Sequence, residues 1–233
     1  MPAAFARPSP APSALALAAL LAGCDIPTAL PVIESRWSIP VDRDSLSIAQ
    51  VLPAGVSVAG GGFAVSASPS DVSASLGMLC GAPCADAEGL VAPKPAFTGT
   101  LAATVGLPAQ LVEARLAPGG TIRVRLDNGF GFDPLRPAAD PGAERGRIVI
   151  AARSAGEELT ADTLDGADVA LPAGASLERT LSLPGGAAVG GAVFVTVEVA
   201  SPAGDATTIR TADALTAAAT PASVLATEAS VVV

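Results

Sequence analysis

Residues 192–200, Ala-Val-Phe-Val-Thr-Val-Glu-Val-Ala, set Val193, Val195, Val197 and Val199 on one side of an extended chain and Thr196 and Glu198 on the other. A period of two with β-branched residues on the apolar side is the pattern of a half-buried antiparallel strand, and it does not suit a helix. The same reading applies to residues 98–105, 110–116, 121–127, 147–153, 176–183, 206–211 and 223–233, and earlier to 63–67. Short strands divided by Gly and Pro turns predict an all-β chain, an antiparallel β-sandwich.

The turns carry their own chemistry. Pro118-Gly119-Gly120 joins two of these strands, and Asp127-Asn128-Gly129 has the composition of a type I′ hairpin, whose two central residues need positive φ. Leu52-Pro53-Ala54-Gly55 recurs as Leu171-Pro172-Ala173-Gly174, each ahead of a strand, which reads as one turn used twice and not as a duplication. Gly60-Gly61-Gly62 lacks the Lys and helix of a phosphate-binding loop and reads as a bulge or turn. Asp44 or Ser45 is placed to cap a short helix through Val51, and residues 157–164 form the one helical turn expected in the second half.

At the amino terminus a short apolar run, 14–21, follows Arg7 and ends in Leu21-Ala22-Gly23-Cys24. The run is about half the length needed to cross a bilayer, so it reads as a signal and not a span. Small residues fit a tight peptidase pocket at the cut, and only a cysteine offers a thiol for thioether formation. The stretch resembles a bacterial lipobox. That resemblance implies cleavage before Cys24, lipid attachment to its thiol, and a chain tethered to a membrane outside the cytoplasm on the periplasmic or cell-surface side. The layout expected is a signal peptide at 1–23, a tether at 24–36 bearing Pro27 and Pro31, a β-rich region at 37–96 and a sandwich at 97–233. The segment Trp37-Ser38-Ile39-Pro40-Val41 begins structure, and Pro93-Lys94-Pro95 marks a boundary or a long excursion between strands.

Two further resemblances bear on the fold. Residues 121–128, then Phe132-Asp133-Pro134-Leu135 and Gly146-Arg147-Ile148-Val149-Ile150, follow the order of the late-embryogenesis (LEA14, water-stress) β-sandwich: a strand ending in Asn, a Phe-Pro-Leu crossover, a Gly-led returning strand. The sandwich is therefore expected to be immunoglobulin-like or LEA14-like, after a cleaved signal peptide and a short tether. The Trp37-x-Ile39-Pro40 opening with Ser45-Leu46-Ser47 resembles uncharacterised bacterial envelope lipoproteins. Neither resemblance implies an enzymatic activity.

Composition narrows the chemistry. A net charge of −9, with 13 basic residues against 22 acidic ones, opposes binding to nucleic acid. The chain has no His, so Ser-His-Asp and Cys-His arrangements are excluded. Lys94 is the only lysine, and no serine stands three residues before it, so the Ser-x-x-Lys motif is absent. Three cysteines divide into Cys24 for the lipid and the pair Cys80 and Cys84, for which a disulfide is expected in an oxidising compartment. So small a loop contributes about 2 kcal/mol in the chain-entropy treatment, which pins a loop without holding a fold. Without His or further Cys a zinc site lacks ligands, and no metal or other cofactor is expected.

Asp162, Asp165 and Asp168 either line a helical edge, ligate calcium or cap loops; the EF-hand pattern is not met. Asp127 and Asp133 are expected to bond turn backbone. With one Trp and no Tyr, platforms for stacking sugars are scarce, and Trp37 reads as a buried anchor. Three function classes remain: a non-catalytic envelope lipoprotein that binds a protein partner or serves as structure, a lipoprotein holding a small or apolar ligand between its sheets, and a carboxylate-dependent hydrolase. The first is the reading adopted. Its partners are the membrane, through the lipid, and an envelope protein that the sequence does not name.

Overall fold

A computed structural model describes residues 51–232. The signal, Cys24, the tether, the Trp37 segment and the helical turn before Val51 fall outside these residues. Within them the chain is all-β and antiparallel, with two short helices. The strands are β1 (Val56–Ala59), β2 (Gly62–Val65), β3 (Ser70–Ser75), β4 (Val91–Lys94), β5 (Phe97–Gly106), β6 (Leu111–Leu116), β7 (Thr121–Asn128) and β8 (Arg147–Ser154). They continue with β9 (Glu157–Asp165), β10 (Ser176–Ser182), β11 (Ala188–Val189), β12 (Ala192–Ser201), β13 (Gly204–Thr208), β14 (Ala214–Ser223) and β15 (Leu225–Val231). Helices α1 (Leu76–Cys80) and α2 (Ala82–Ala85) lie between β3 and β4.

Two four-stranded sheets, β10-β7-β14-β3 and β5-β12-β8-β9, make the sandwich. Their apolar positions alternate inward as the period-two pattern requires. Ile122, Val124 and Leu126 of β7 and Leu215, Ala217 and Ala219 of β14 join Ile148, Ile150 and the four valines of β12 in one buried cluster. A five-stranded sheet, β1-β2-β15-β6-β11, continues the same core through Leu111, Ala114, Leu116 and Ala226, and β13 pairs with β4 as a separate ribbon.

The five-stranded sheet and the β10 sheet are linked by one long bent ribbon. Strands β6 and β7 follow each other across residues 117–120, as do β14 and β15 across Val224; β15 pairs with β6 and β14 with β7. Pro118-Gly119-Gly120, with Gly119 at φ 93°, is therefore a corner between sheets, and the strands it connects do not pair with each other. A strand that changes sheet at a bend is the device of orthogonal packing. Bulges at Pro221/Ser223 and Ala226/Glu228 lie on the opposite side of the same corner.

Three other expectations are corrected. Residues 157–164, expected as a helical turn, form β9, paired with β8 along its length. Asn128-Gly129 is not a hairpin: β7 pairs with β10 and β14, and the chain leaves through a crossover, residues 129–146, before β8. Gly129 is not among the positive-φ glycines; it is small because a Cβ there would meet the Ala214 carbonyl at 2.5 Å. Pro93-Lys94-Pro95 contains the end of a strand. Its ribbon with β13, together with β2 on β15 and β3 on β14, carries pairing across the 96/97 division, so residues 51–96 and 97–232 share sheets.

The two Leu-Pro-Ala-Gly turns do share one geometry. Val56 N–H donates to Pro53 O at 3.1 Å and Ala175 N–H to Pro172 O at 3.0 Å, with Gly55 and Gly174 at φ 86° and 72°. The tight glycine hairpin belongs to Gly60-Gly61, both at positive φ, between β1 and β2.

Candidate functional site

Strand β4 alternates outward and inward, so Lys94 is directed inward with Ala92 while Pro93 faces outward; β4 pairs only with β13, and such an edge strand can carry a proline. The consequence is a lysine only 1% exposed. Its Nζ donates to the Ser201 hydroxyl at 2.7 Å and to the Pro202 carbonyl, and Ser201 Oγ in turn donates to Pro134 O at 2.8 Å. Nζ lies 4.6 Å from the Phe97 ring centre and 5.3 Å from that of Phe132. Phe130 completes the box, stacked on Phe132 at 5.3 Å and edge-on to Phe97 at 6.1 Å. Two of the chain's six phenylalanines thus flank the amine of its single lysine, and a third packs against both rings.

Among the described residues no carboxylate lies within 4 Å of Nζ. Burial without a counter-ion penalises the charged form, and desolvation lowers the Lys94 pKa from 10.5 to about 7. Ring faces and two neutral acceptors offset part of that penalty. Lys94 and Ser201 are thus a Ser–Lys pair joined through space, which no local spacing could reveal. Ser201 is itself 2% exposed, and its proton is committed to Pro134, so the pair does not open on a cleft where a substrate carbonyl would reach it.

The crossover above this box is held by its own polar groups. Asn128, buried at the end of β7, directs Nδ2 to the carbonyls of Phe132 (2.8 Å), Leu171 (2.8 Å) and Pro172 (3.1 Å), and its Oδ1 accepts from Phe130 N–H at 2.9 Å. Asp133 accepts from the amides of Leu135, Arg136 and Leu171, as its expected turn role requires. Arg136 donates to the carbonyls of Gly166 and Ala167, and Arg145 to those of Ala138, Asp140 and Pro141. Asp205 accepts from Ala139 N–H at 2.8 Å.

The remaining residues singled out in the sequence lie apart from this centre. Cys80 closes α1 and Cys84 lies in α2, their sulfurs 2.05 Å apart and Cys84 buried under the sheet. Asp127 bonds across strands and not to a turn. It accepts from the Ser176 hydroxyl and from Arg125 Nε at 2.8 Å, and these two, in that order, hold its carboxyl below the usual range. The three aspartates do not converge. Asp162 on β9 faces Arg179 Nε of β10 at 3.5 Å across the edge of the sandwich, whereas Asp165 accepts from Ala167 N–H in the turn after β9. No group of three metal-ligating side chains occurs among the described residues.

A second feature lies on the outer side of the β5-β12-β8-β9 sheet. There a shallow groove of about 280 Å³ is lined by Thr98, Thr100, Arg147, Val149, Glu198 and Ala200. Phe194, 46% exposed, stands farther along the same face of β12.

No family model matches the chain, and no curated protein matches it. Among solved structures, a carbohydrate-binding module in complex with β-1,4-galactotriose is similar at 11% identity and a TM-score of 0.22, over 54% of this chain and 70% of its own. A likeness that slight carries no functional argument.

Proposed function

We propose that the chain is a lipid-anchored protein of the bacterial cell envelope, with a non-catalytic role in which the β-sandwich binds a protein partner or serves as structure. The reading is carried by Leu21-Ala22-Gly23-Cys24 at the end of a short apolar run, a position where a thiol has one specific use. Two or three acyl chains at about 0.8 kcal/mol per buried methylene would dominate attachment to the bilayer. An extracytoplasmic location accords with a bonded Cys80 and Cys84.

The non-catalytic part is supported by how the polar side chains are used. Asn128, Asp133, Arg145 and Ser201 satisfy backbone groups of the crossover, Arg136 satisfies those of the turn after β9, and Asp162 pairs with Arg179. The outer face around Phe194 and the Thr98–Glu198 groove is the surface favoured for contact with a partner. Metabolic labelling with palmitate tests the anchor: label should enter the wild-type protein and not Cys24→Ser. Equal labelling of the two would overturn the reading.

A further inference from the structure

Lys94 is the meeting point of three chain segments. It ends β4, binds Ser201 at the end of β12 and Pro202 just after it, and through Ser201 reaches Pro134 in the crossover, whose Phe132 ring lies over its Nζ. A neutral amine has two N–H donors, and the site supplies two acceptors, Ser201 Oγ and Pro202 O. An ammonium has a third N–H and a full charge in a buried box. We propose that Lys94 is a proton-operated latch: with its amine neutral the crossover 129–146 stays closed over the aromatic cluster, and protonation favours opening of that seam to water.

The charged groups on the elements packed against it do not compensate the charge. Strand β5 carries none. On β12, Glu198 points to the outer face and lines the groove there. On β13, Asp205 is bonded to Ala139 N–H, and in the crossover Asp133 and Asp140 are bonded to nearby amides. Arg136 and Arg145 bind carbonyls of the crossover and of the turn after β9, and Glu144 makes no ion pair within 4 Å.

The direction follows from linkage. An opened, solvated Lys94 holds its proton up to about 10.5, whereas the closed site releases it above about 7. Closure is therefore weakest below pH 7 and strengthens as pH rises from 7 to 10.5. Between pH 7 and pH 9 the opening constant should fall about fiftyfold.

Because the chain has one lysine, selective ¹³Cε-lysine labelling of the full-length protein in detergent gives a single NMR signal to titrate. A midpoint near neutrality is expected, with hydrogen exchange of the 129–146 amides, corrected for intrinsic rates, slowing about fiftyfold from pH 7 to 9. Lys94→Met should remove that pH dependence. Ser201→Ala, which keeps the lysine but removes one acceptor of the ammonium, should move the midpoint to lower pH. A midpoint at the ordinary lysine value, an unmoved midpoint in Ser201→Ala, or the same exchange profile in Lys94→Met would each overturn the latch. If Lys94→Met does not fold, the wild-type titration and Ser201→Ala decide alone.

Discussion

At the scale of single residues, the polar interior decides the shape of the crossover. The Asn128 amide answers three carbonyls and one amide of two loops, 129–134 and 171–175, that would otherwise have unpaired groups in a buried place. Asn128→Asp replaces a two-proton donor by an acceptor aimed at carbonyl oxygens. A loss of several kcal/mol is expected in urea melts at pH 7, larger than for Asn128→Ala, which only removes the bonds. Equal melts for Asn128→Asp and wild type would show that water or another side chain satisfies those carbonyls. Local composition could show that Asn128 was special but not why. Asn-Gly looks like a hairpin turn, and only the third dimension reveals that the Asn is an internal tie and the Gly a close approach to Ala214. Lys94 was less legible still. Its one local signal is an inward register position in Val91-Ala92-Pro93-Lys94, and its partner is 107 residues away.

At the scale of elements, legibility followed side-chain branching. Strands β5, β7, β8 and β12, rich in Val, Ile and Thr, stand within two residues of where alternation puts them. Strand β14 was missed because Ala217, Ala218 and Ala219 have little strand preference of their own; they are strand because β7 and β3 flank them on both sides. Strand β9 was misread because Glu, Leu and Ala suit a helix, and tertiary pairing with β8 overrode them. The left-handed Ala155, at φ 51° beside Gly156, turns β8 into β9 without any of the usual Asn or Asp signals. Where alternation is strong it makes a sharp prediction. Val197 is 1% exposed between β5 and β8, so Val197→Asp should lose several kcal/mol of a total stability of about 5 to 15, read as a large drop in thermal midpoint. Thr196→Asp, on the outer face, should stay within about 1 kcal/mol in thermal melts. Equal damage from both would contradict the register.

At the scale of the molecule, the strand exchange across residue 96 governs cooperativity. A fragment 97–233 lacks β2 and β3, which pair with β15 and β14, and lacks β4 with Lys94, the ribbon partner of β13. Unpaired edges and an emptied aromatic box should leave that fragment aggregation-prone or without a cooperative melt. The chain from Val51 onward should unfold in one calorimetric transition; two separated transitions would show that the sheets fold apart. The hairpin of β1 and β2 also sets how the molecule bears load. Chain arriving from the amino-terminal side enters at Val56, the open end of a four-pair hairpin at a sheet edge. A pull from that side meets the ladder pairs one after another, beginning with Val56 and Val65, and not all together in shear. Were the chain held through Cys24 as proposed, tension would peel a few residues from this rim first and lengthen the tether while the sandwich behind it kept its shape.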